Sequence, residues 1–130
     1  KDDRTVIGAS DAGAHLDMLG SSSFSPTVLA RAVREKGIIP LEQAIPELTE
    51  RPARYFGLVD RGTIREGAHA DLVVFDPATI ADRSTFEKPH QYAVGMKHVF
   101  VNGVAVLNDG EPTGALPGRA LRGPGAGGRR

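Results

Sequence analysis

The residues best suited to chemistry stand near the start of the chain, in Ser10-Asp11-Ala12-Gly13-Ala14-His15. Thr5-Val6-Ile7 is a short β-branched run that gives way to small residues, and Asp11 follows at once. Such runs favour extended backbone, so the pattern predicts a strand across residues 5–10 with Asp11 at its C-terminal end. A carboxylate placed there can serve as a general base and take a proton from an attacking water. It can also simply open a turn or cap a helix, as Asp commonly does. His15 lies four residues further on, and both side chains reach one pocket if Ala12-Gly13-Ala14 turns tightly. His15 is then a substrate contact or a partner of Asp11. The alternative, a loop histidine making local hydrogen bonds, stands level with it.

The other reactive residue types offer less. Gly20-Ser21-Ser22-Ser23 is a polar stretch, but no Gly-x-Ser-x-Gly elbow surrounds a serine to make it a nucleophile. The remaining histidines, His69, His90 and His98, are separated by 21 and 8 residues. Neither interval is a metal-ligand spacing, and all three are read as structural or exposed. The absence of cysteine excludes disulfides and thiolate chemistry, and fits a reducing cytoplasm. Formal net charge is zero, so nothing in the total points to nucleic acid. No apolar run approaches the roughly 20 residues that span a bilayer, so no membrane partner is expected. Lys1-Asp2-Asp3-Arg4 is followed by no apolar region of the kind a signal peptide needs. The chain opens on Lys rather than Met, and is expected to be a fragment, a processed product or a trimmed piece.

The elements that must position these residues come in two styles. Ser25-Pro26 predicts a helix start, with Ser as N-cap and Pro at the first helical position. Val28, Leu29, Ala32 and Val33 then share one apolar face, and Gly37 suits the C-terminal cap. A second helix runs to about Leu48, with a kink or break expected at Pro46 because proline cannot bond to the Glu42 carbonyl. A third spans residues 49–56 and ends at Gly57. Beyond Gly57-Leu58 the periodicity turns strand-like, which sets a boundary there. Gly62 and Gly67 bracket a short strand and turn at Thr63-Ile64. Leu72–Phe75 is a continuous apolar run that reads as a strand buried on both faces. Residues 77–89 read as a polar loop. The run from Val99 to Leu107 is split by Asn102-Gly103, a pair that accepts the positive φ angles of a two-residue type I′ hairpin turn. Residues 123–130 are Gly-rich with few apolar groups, and disorder is expected there.

Taken together, two of these segments resemble a known family. Gly62-x-Ile64-x-x-Gly67-x-x-Ala70-Asp71-Leu72-Val73-Val74-Phe75-Asp76, followed by Val99-x-Val101-Asn102-Gly103, resembles the C-terminal end of the amidohydrolase superfamily. There it forms part of a small β-sandwich beside a metal-dependent (β/α)8 barrel. Thr49-x-x-Pro52-Ala53-x-x-Phe56-Gly57-Leu58 resembles the helix leading from barrel to sandwich. Ser10 to His15 resembles the end of the eighth barrel strand, most closely in N-acyl-D-amino-acid deacylases. The resemblance implies that Asp11 is the general base and contacts a catalytic divalent metal, zinc, together with ligands outside this chain. It gives His15 no secure role. The implied fold is α/β with an all-β appendage: residues 1–57 as the last part of the barrel, 58–122 as a sandwich segment and 123–130 as a tail.

The chain departs from the family pattern by lacking a His-x-His motif and most of a barrel, which takes about 250 residues. The resemblance therefore implies part of a longer hydrolase that cleaves a non-peptide amide, with the chain alone inactive. Its partners would be the remainder of that enzyme, a small-molecule amide substrate and, through orphaned apolar surface, further copies of itself. Two alternatives stand beside this reading. One is a cyclic-amide hydrolase of the hydantoinase or dihydroorotase kind. The other is a non-catalytic β-sandwich interaction module.

Overall fold

The structure, a computed structural model, describes residues 5–8, 10 and 23–122. Asp11, His15 and the tail at 123–130 lie outside them. The described chain opens with α1 (Phe24–Thr27), which runs on into a π-helical segment (Val28–Glu35). Helices α2 (Leu41–Leu48) and α3 (Glu50–Tyr55) follow, and then four strands: β1 (Leu72–Phe75), β2 (Met96–Val101), β3 (Val104–Asn108) and β4 (Glu111–Pro112). The strands form one antiparallel sheet in the order β1-β2-β3-β4.

The first helix begins two residues earlier than its sequence suggests. Ser23, not Ser25, occupies the N-cap position, and Pro26 sits one turn in, where its missing N–H costs no intrahelical bond. The π-helical continuation explains a second difference. The amide of Lys36 bonds to the carbonyl of Arg31, 3.0 Å away and five residues back, so each turn takes an extra residue and the buried face slips round. Leu29 and Ala30 are buried, while Val28 and Ala32 are only half-buried. Gly37 and Gly57 end their helices as expected, both at positive φ. Pro46 does not break α2. In so short a helix it forfeits only the bond to Glu42, and the break falls at Thr49, with φ −127° and ψ −77°.

The sheet carries the strongest sequence signal and two corrections. Asn102 and Gly103 adopt φ of 50° and 81° and set Val101 opposite Val104, the hairpin expected of that pair. A second turn of the same kind, at Asp109-Gly110, joins β3 to β4. The first correction concerns β1. It is a strand, but it pairs on one side only, with β2, so Val73 and Val74 are 52% and 47% exposed rather than buried on both faces. The second concerns residues 5–10 and Thr63-Ile64, where strands were expected. Residues 5–8 and 10 and residues 63–64 lie in no strand, because a strand needs a hydrogen-bonded neighbour and no described strand pairs with them. The turn at Gly67 does form, through the Ala68 amide and the Arg65 carbonyl at 3.2 Å.

The core joins helices to sheet. Leu29, Ala44 and Ile80 form its buried centre, with Phe75 and Met96 packed on from the strands. Ile80 is fully buried although it comes from the stretch read as a polar loop. Asp76 turns the chain there. Its carboxylate accepts from the Ala78 amide at 2.9 Å and the Thr79 hydroxyl at 2.8 Å, and its carbonyl from the Ile80 amide at 2.9 Å. The chain then pairs back, Ala81 against Val94. Gly95, at φ 81°, lies so close that a Cβ on it would stand 2.5 Å from the Ile80 nitrogen. Backbone strain and overlap with main chain both oppose a side chain here. Gly95→Ala is expected to cost at least about 2 kcal/mol, read as a lowered denaturation midpoint. An unchanged midpoint would mean that Ile80 can move aside freely.

A polar clasp fixes the hairpin turn to the approach to β1. Arg61 donates to the Asp71 carboxylate and to Asn102 Oδ1, the latter at 2.8 Å. The Asn102 amide donates to Asp71 at 2.8 Å, and its side-chain amide to the Pro117 carbonyl at 2.8 Å. Burial pushes the Asp71 carboxyl up, but the Asn102 amide and the Arg61 guanidinium outweigh it and hold it below the usual carboxylate range. A carboxylate lowered in the folded state stabilises the fold above its unfolded value of about 4, and the benefit is lost as pH falls through the folded value. The melting temperature of the native chain should therefore drop more steeply below pH 4 than that of Asp71→Asn. Parallel curves would remove Asp71 from the acid response.

Candidate functional site

The segment that carries the sequence-predicted residues is bracketed by described ones. Ser10, exposed, precedes Asp11, and Ser23 follows residue 22 at the start of α1. Asp11 and His15 themselves lie outside the described residues, so the geometry here is that of the frame around them. Ser23 is the informative end. A serine at an N-cap ordinarily accepts a bond from the first-turn amides, yet Ser23 makes no such bond. Across the molecule, on the chain that returns from β1, the Ser23 hydroxyl helps to hold the Asp82 carboxyl below the usual carboxylate range.

Asp82 is held from several sides. The Ser84 amide donates to it at 2.9 Å. Burial pushes the Asp82 carboxyl up, while the Ser84 amide, the Ser23 hydroxyl and the positive charge of Arg31 outweigh burial and keep it below the usual range. One helical turn beyond Arg31, Arg34 reaches the same returning chain. Its Nη1 donates to the Ile80 carbonyl at 2.6 Å and to the Pro77 carbonyl at 3.2 Å. Thr27, Ala30, Arg31, Glu35, Lys36, Ala81 and Asp82 line a cavity of about 320 Å³ between helix and returning chain. Two cations face two carboxylates there, so the cavity has no net preference for an anion or a cation.

A second cavity, of about 350 Å³, lies between α2, the start of α3 and β1, lined largely by apolar side chains such as Ile45, Pro46, Ile64, Leu72 and Phe75. Its polar lining is Thr49, Glu50, Thr63 and Asp71. Among the described residues no group of three or more His, Cys, Asp or Glu could hold a metal ion. His69 and His90 are exposed, and His98 Nδ1 lies 3.0 Å from Asn108 Oδ1 and accepts from the Asp109 amide at 3.3 Å. His98 thus steadies the second hairpin turn, which agrees with a structural reading. The sequence reading assigned no part to Asp82 or Arg34. No residue-type signal marked them: the anchor of their segment is a single isoleucine, Ile80, in a polar stretch.

The chain matches a family model described as the amidohydrolase family over residues 1–107. It is 46% identical over 112 residues to the N-acyl-D-glutamate deacylase of Alcaligenes xylosoxydans xylosoxydans, covering 86% of this chain and 22% of that protein. The crystal structure of a D-aminoacylase superposes with a TM-score of 0.67 at 48% identity, covering 70% of this chain and 19% of that one. An N-acyl-D-glutamate deacylase from Bordetella bronchiseptica, complexed with zinc and a phosphonate mimic of the tetrahedral intermediate, superposes with a TM-score of 0.60 at 48% identity. That match covers 65% of this chain and 19% of the other. The chain thus spans about a fifth of the length of the relatives it matches.

Proposed function

Because this chain belongs to the amidohydrolase family, we propose that it is the C-terminal part of a metal-dependent deacylase acting on N-acyl-D-amino acids. The observation that carries the reading is its 46–48% identity to deacylases, with Ser10-Asp11 inside the matched residues. In this proposal residues 1–57 complete a barrel, residues 58–122 contribute to a sandwich and residues 123–130 form a tail. The cysteine-free composition suits the cytoplasm, which we take as its compartment.

A divalent metal, zinc in the Bordetella relative, would polarise the amide carbonyl when bound. The described residues do not by themselves fit such an ion. Asp11, the contact proposed from this chain, lies outside them, and the remaining ligands would come from the rest of the enzyme. Asp11 is assigned as general base: it takes a proton from the attacking water and returns it to the departing amine. His15 is assigned to substrate contact.

The complete enzyme tests this. Asp11→Asn keeps the size of the side chain but removes the proton acceptor, so turnover should fall by about 10² to 10⁴. His15→Ala should chiefly raise KM, and His69→Ala, at an exposed histidine, should behave as wild type. Circular dichroism and metal analysis on each variant separate lost chemistry from lost fold or lost metal. Near-normal turnover of Asp11→Asn with metal bound would reduce Asp11 to a turn residue. Turnover of hydantoins or dihydroorotate, with none of N-acyl-D-amino acids, would select the cyclic-amide reading instead.

The remainder of the enzyme is the proposed partner of the exposed apolar surface. Ile64 is 90% exposed, Phe86 88% and Tyr92 85%, and the outer edge of β1 is unpaired among the described residues. Open edges and apolar patches recruit other chains. The isolated chain is therefore expected to self-associate, with a sedimentation coefficient that rises with concentration. A monomer at every concentration would contradict it.

A further inference from the structure

The pair that makes the hairpin turn, Asn102-Gly103, is also the pair most prone to lose its side-chain amide without any enzyme. Glycine leaves its own backbone nitrogen unobstructed, and that nitrogen can attack Asn102 Cγ. A bond forms between the Gly103 nitrogen and Cγ. The Cγ–Nδ2 bond breaks, and Nδ2 leaves as ammonia with the proton that the Gly103 amide gives up. Water then opens the cyclic succinimide at either carbonyl, leaving aspartate or isoaspartate. Gly103 is exposed, and the nearest neighbour of a Cβ built on it would be the Ala70 Cβ at 3.9 Å. The ring and the water both have room.

The groups that must react are nevertheless held apart. The Gly103 amide donates to the Ala70 carbonyl at 2.9 Å. Asn102 Nδ2 donates to the Pro117 carbonyl at 2.8 Å, and Oδ1 accepts from Arg61 at 2.8 Å. Both ends of the carboxamide are therefore fixed, one to the segment after β4 and one to the approach to β1. The main chain of Asn102 is fixed as well, through its amide to Asp71 at 2.8 Å, and Asp71 in turn pairs with Arg61. The Arg61 side chain is only 11% exposed, so little water competes for these bonds. To bring Cγ over the Gly103 nitrogen, the carboxamide must leave both Arg61 and Pro117, and the nitrogen must leave Ala70.

We propose that Asn102-Gly103 is a site of spontaneous deamidation that the clasp of Arg61 and Asp71 holds in check. The modification then falls on copies that have not closed the sheet or have lost it. Either product lacks the Nδ2–H that Pro117 accepts, so the change weakens the clasp that failed to prevent it. Isoaspartate also adds a main-chain carbon to a turn that sets Val101 opposite Val104.

The test incubates the complete enzyme in mildly alkaline buffer made with heavy-oxygen water, and follows the peptide containing residue 102 by mass spectrometry. The folded native enzyme should convert at least about tenfold more slowly than the same enzyme in denaturant, because opening the clasp breaks charge-assisted hydrogen bonds. Asp71→Asn and Arg61→Ala, each checked for fold by circular dichroism, should raise the folded rate about tenfold. The product should be a mixture of aspartate and isoaspartate carrying oxygen from the water. Gly95→Ala weakens the fold at Ile80 without touching the clasp, and well below its midpoint it should convert at the native rate. Equal rates for folded and denatured native enzyme would overturn the proposal, as would clasp variants that convert no faster than native. Gly95→Ala converting as fast as the clasp variants would also overturn it, since global unfolding rather than the clasp would then set the rate.

Discussion

Burial of Ile80 is the constraint on which the described fold depends. Among the described residues it is the largest side chain fully withdrawn from solvent, and it belongs to neither a helix nor a strand. The helices supply Leu29 and Ala44 to one side of it, and the sheet supplies Phe75 and Met96. Without it the two layers would share little apolar surface, since the helices are short and β1 is an edge. Burying a side chain of that size is worth about 1.5–3 kcal/mol by area alone, and the bond network of Asp76 makes the burial possible by folding the chain back within four residues. Gly95 then has to be bare, since the backbone at Ile80 occupies the space of its Cβ. Packing and backbone conformation at these two places are a single requirement.

That requirement marks the limit of sequence reading here. The Asn102-Gly103 turn was legible because its signal is local: two residues determine the φ angles, and the flanking apolar runs determine the strands. The helix ends at Gly37 and Gly57 were legible for the same reason. Ile80 was not. A single isoleucine in a polar stretch has no periodicity, and only its distant neighbours decide whether it is buried. The exposure of Val73 and Val74 was hidden likewise, since an apolar run reports that a segment dislikes water without reporting which partners are present to cover it. The slip of the buried face from Ala32 to Ala30 came from π-helical bonding, which residue types do not encode directly.

The proposed site divides along the same line. Asp11 and His15 were read from a compact motif, and family membership supports placing chemistry there. The polar bonds that hold the returning chain to the first helix were invisible, because their donor is an ordinary Arg on a helix surface. Their significance lies in pairing across the fold, Arg34 with the carbonyls of the returning chain. The clasp of Arg61, Asp71 and Asn102 is the same kind of object at the other end of the sheet. Asp71 directly precedes β1, and its carboxylate holds the hairpin turn in place through the Asn102 amide.

These two polar ties differ in what their loss would release. Asp71 and Arg61 join neighbouring pieces of the sheet and its C-terminal flank, so breaking them loosens a turn whose backbone bonds, such as the Gly103 amide to the Ala70 carbonyl at 2.9 Å, remain. Arg34 joins the sheet's return chain to the first helix through the Ile80 and Pro77 carbonyls, where no backbone bond links the two among the described residues. Its loss leaves the packing of Ile80 against Leu29 and Ala44 to hold the return chain to the helices.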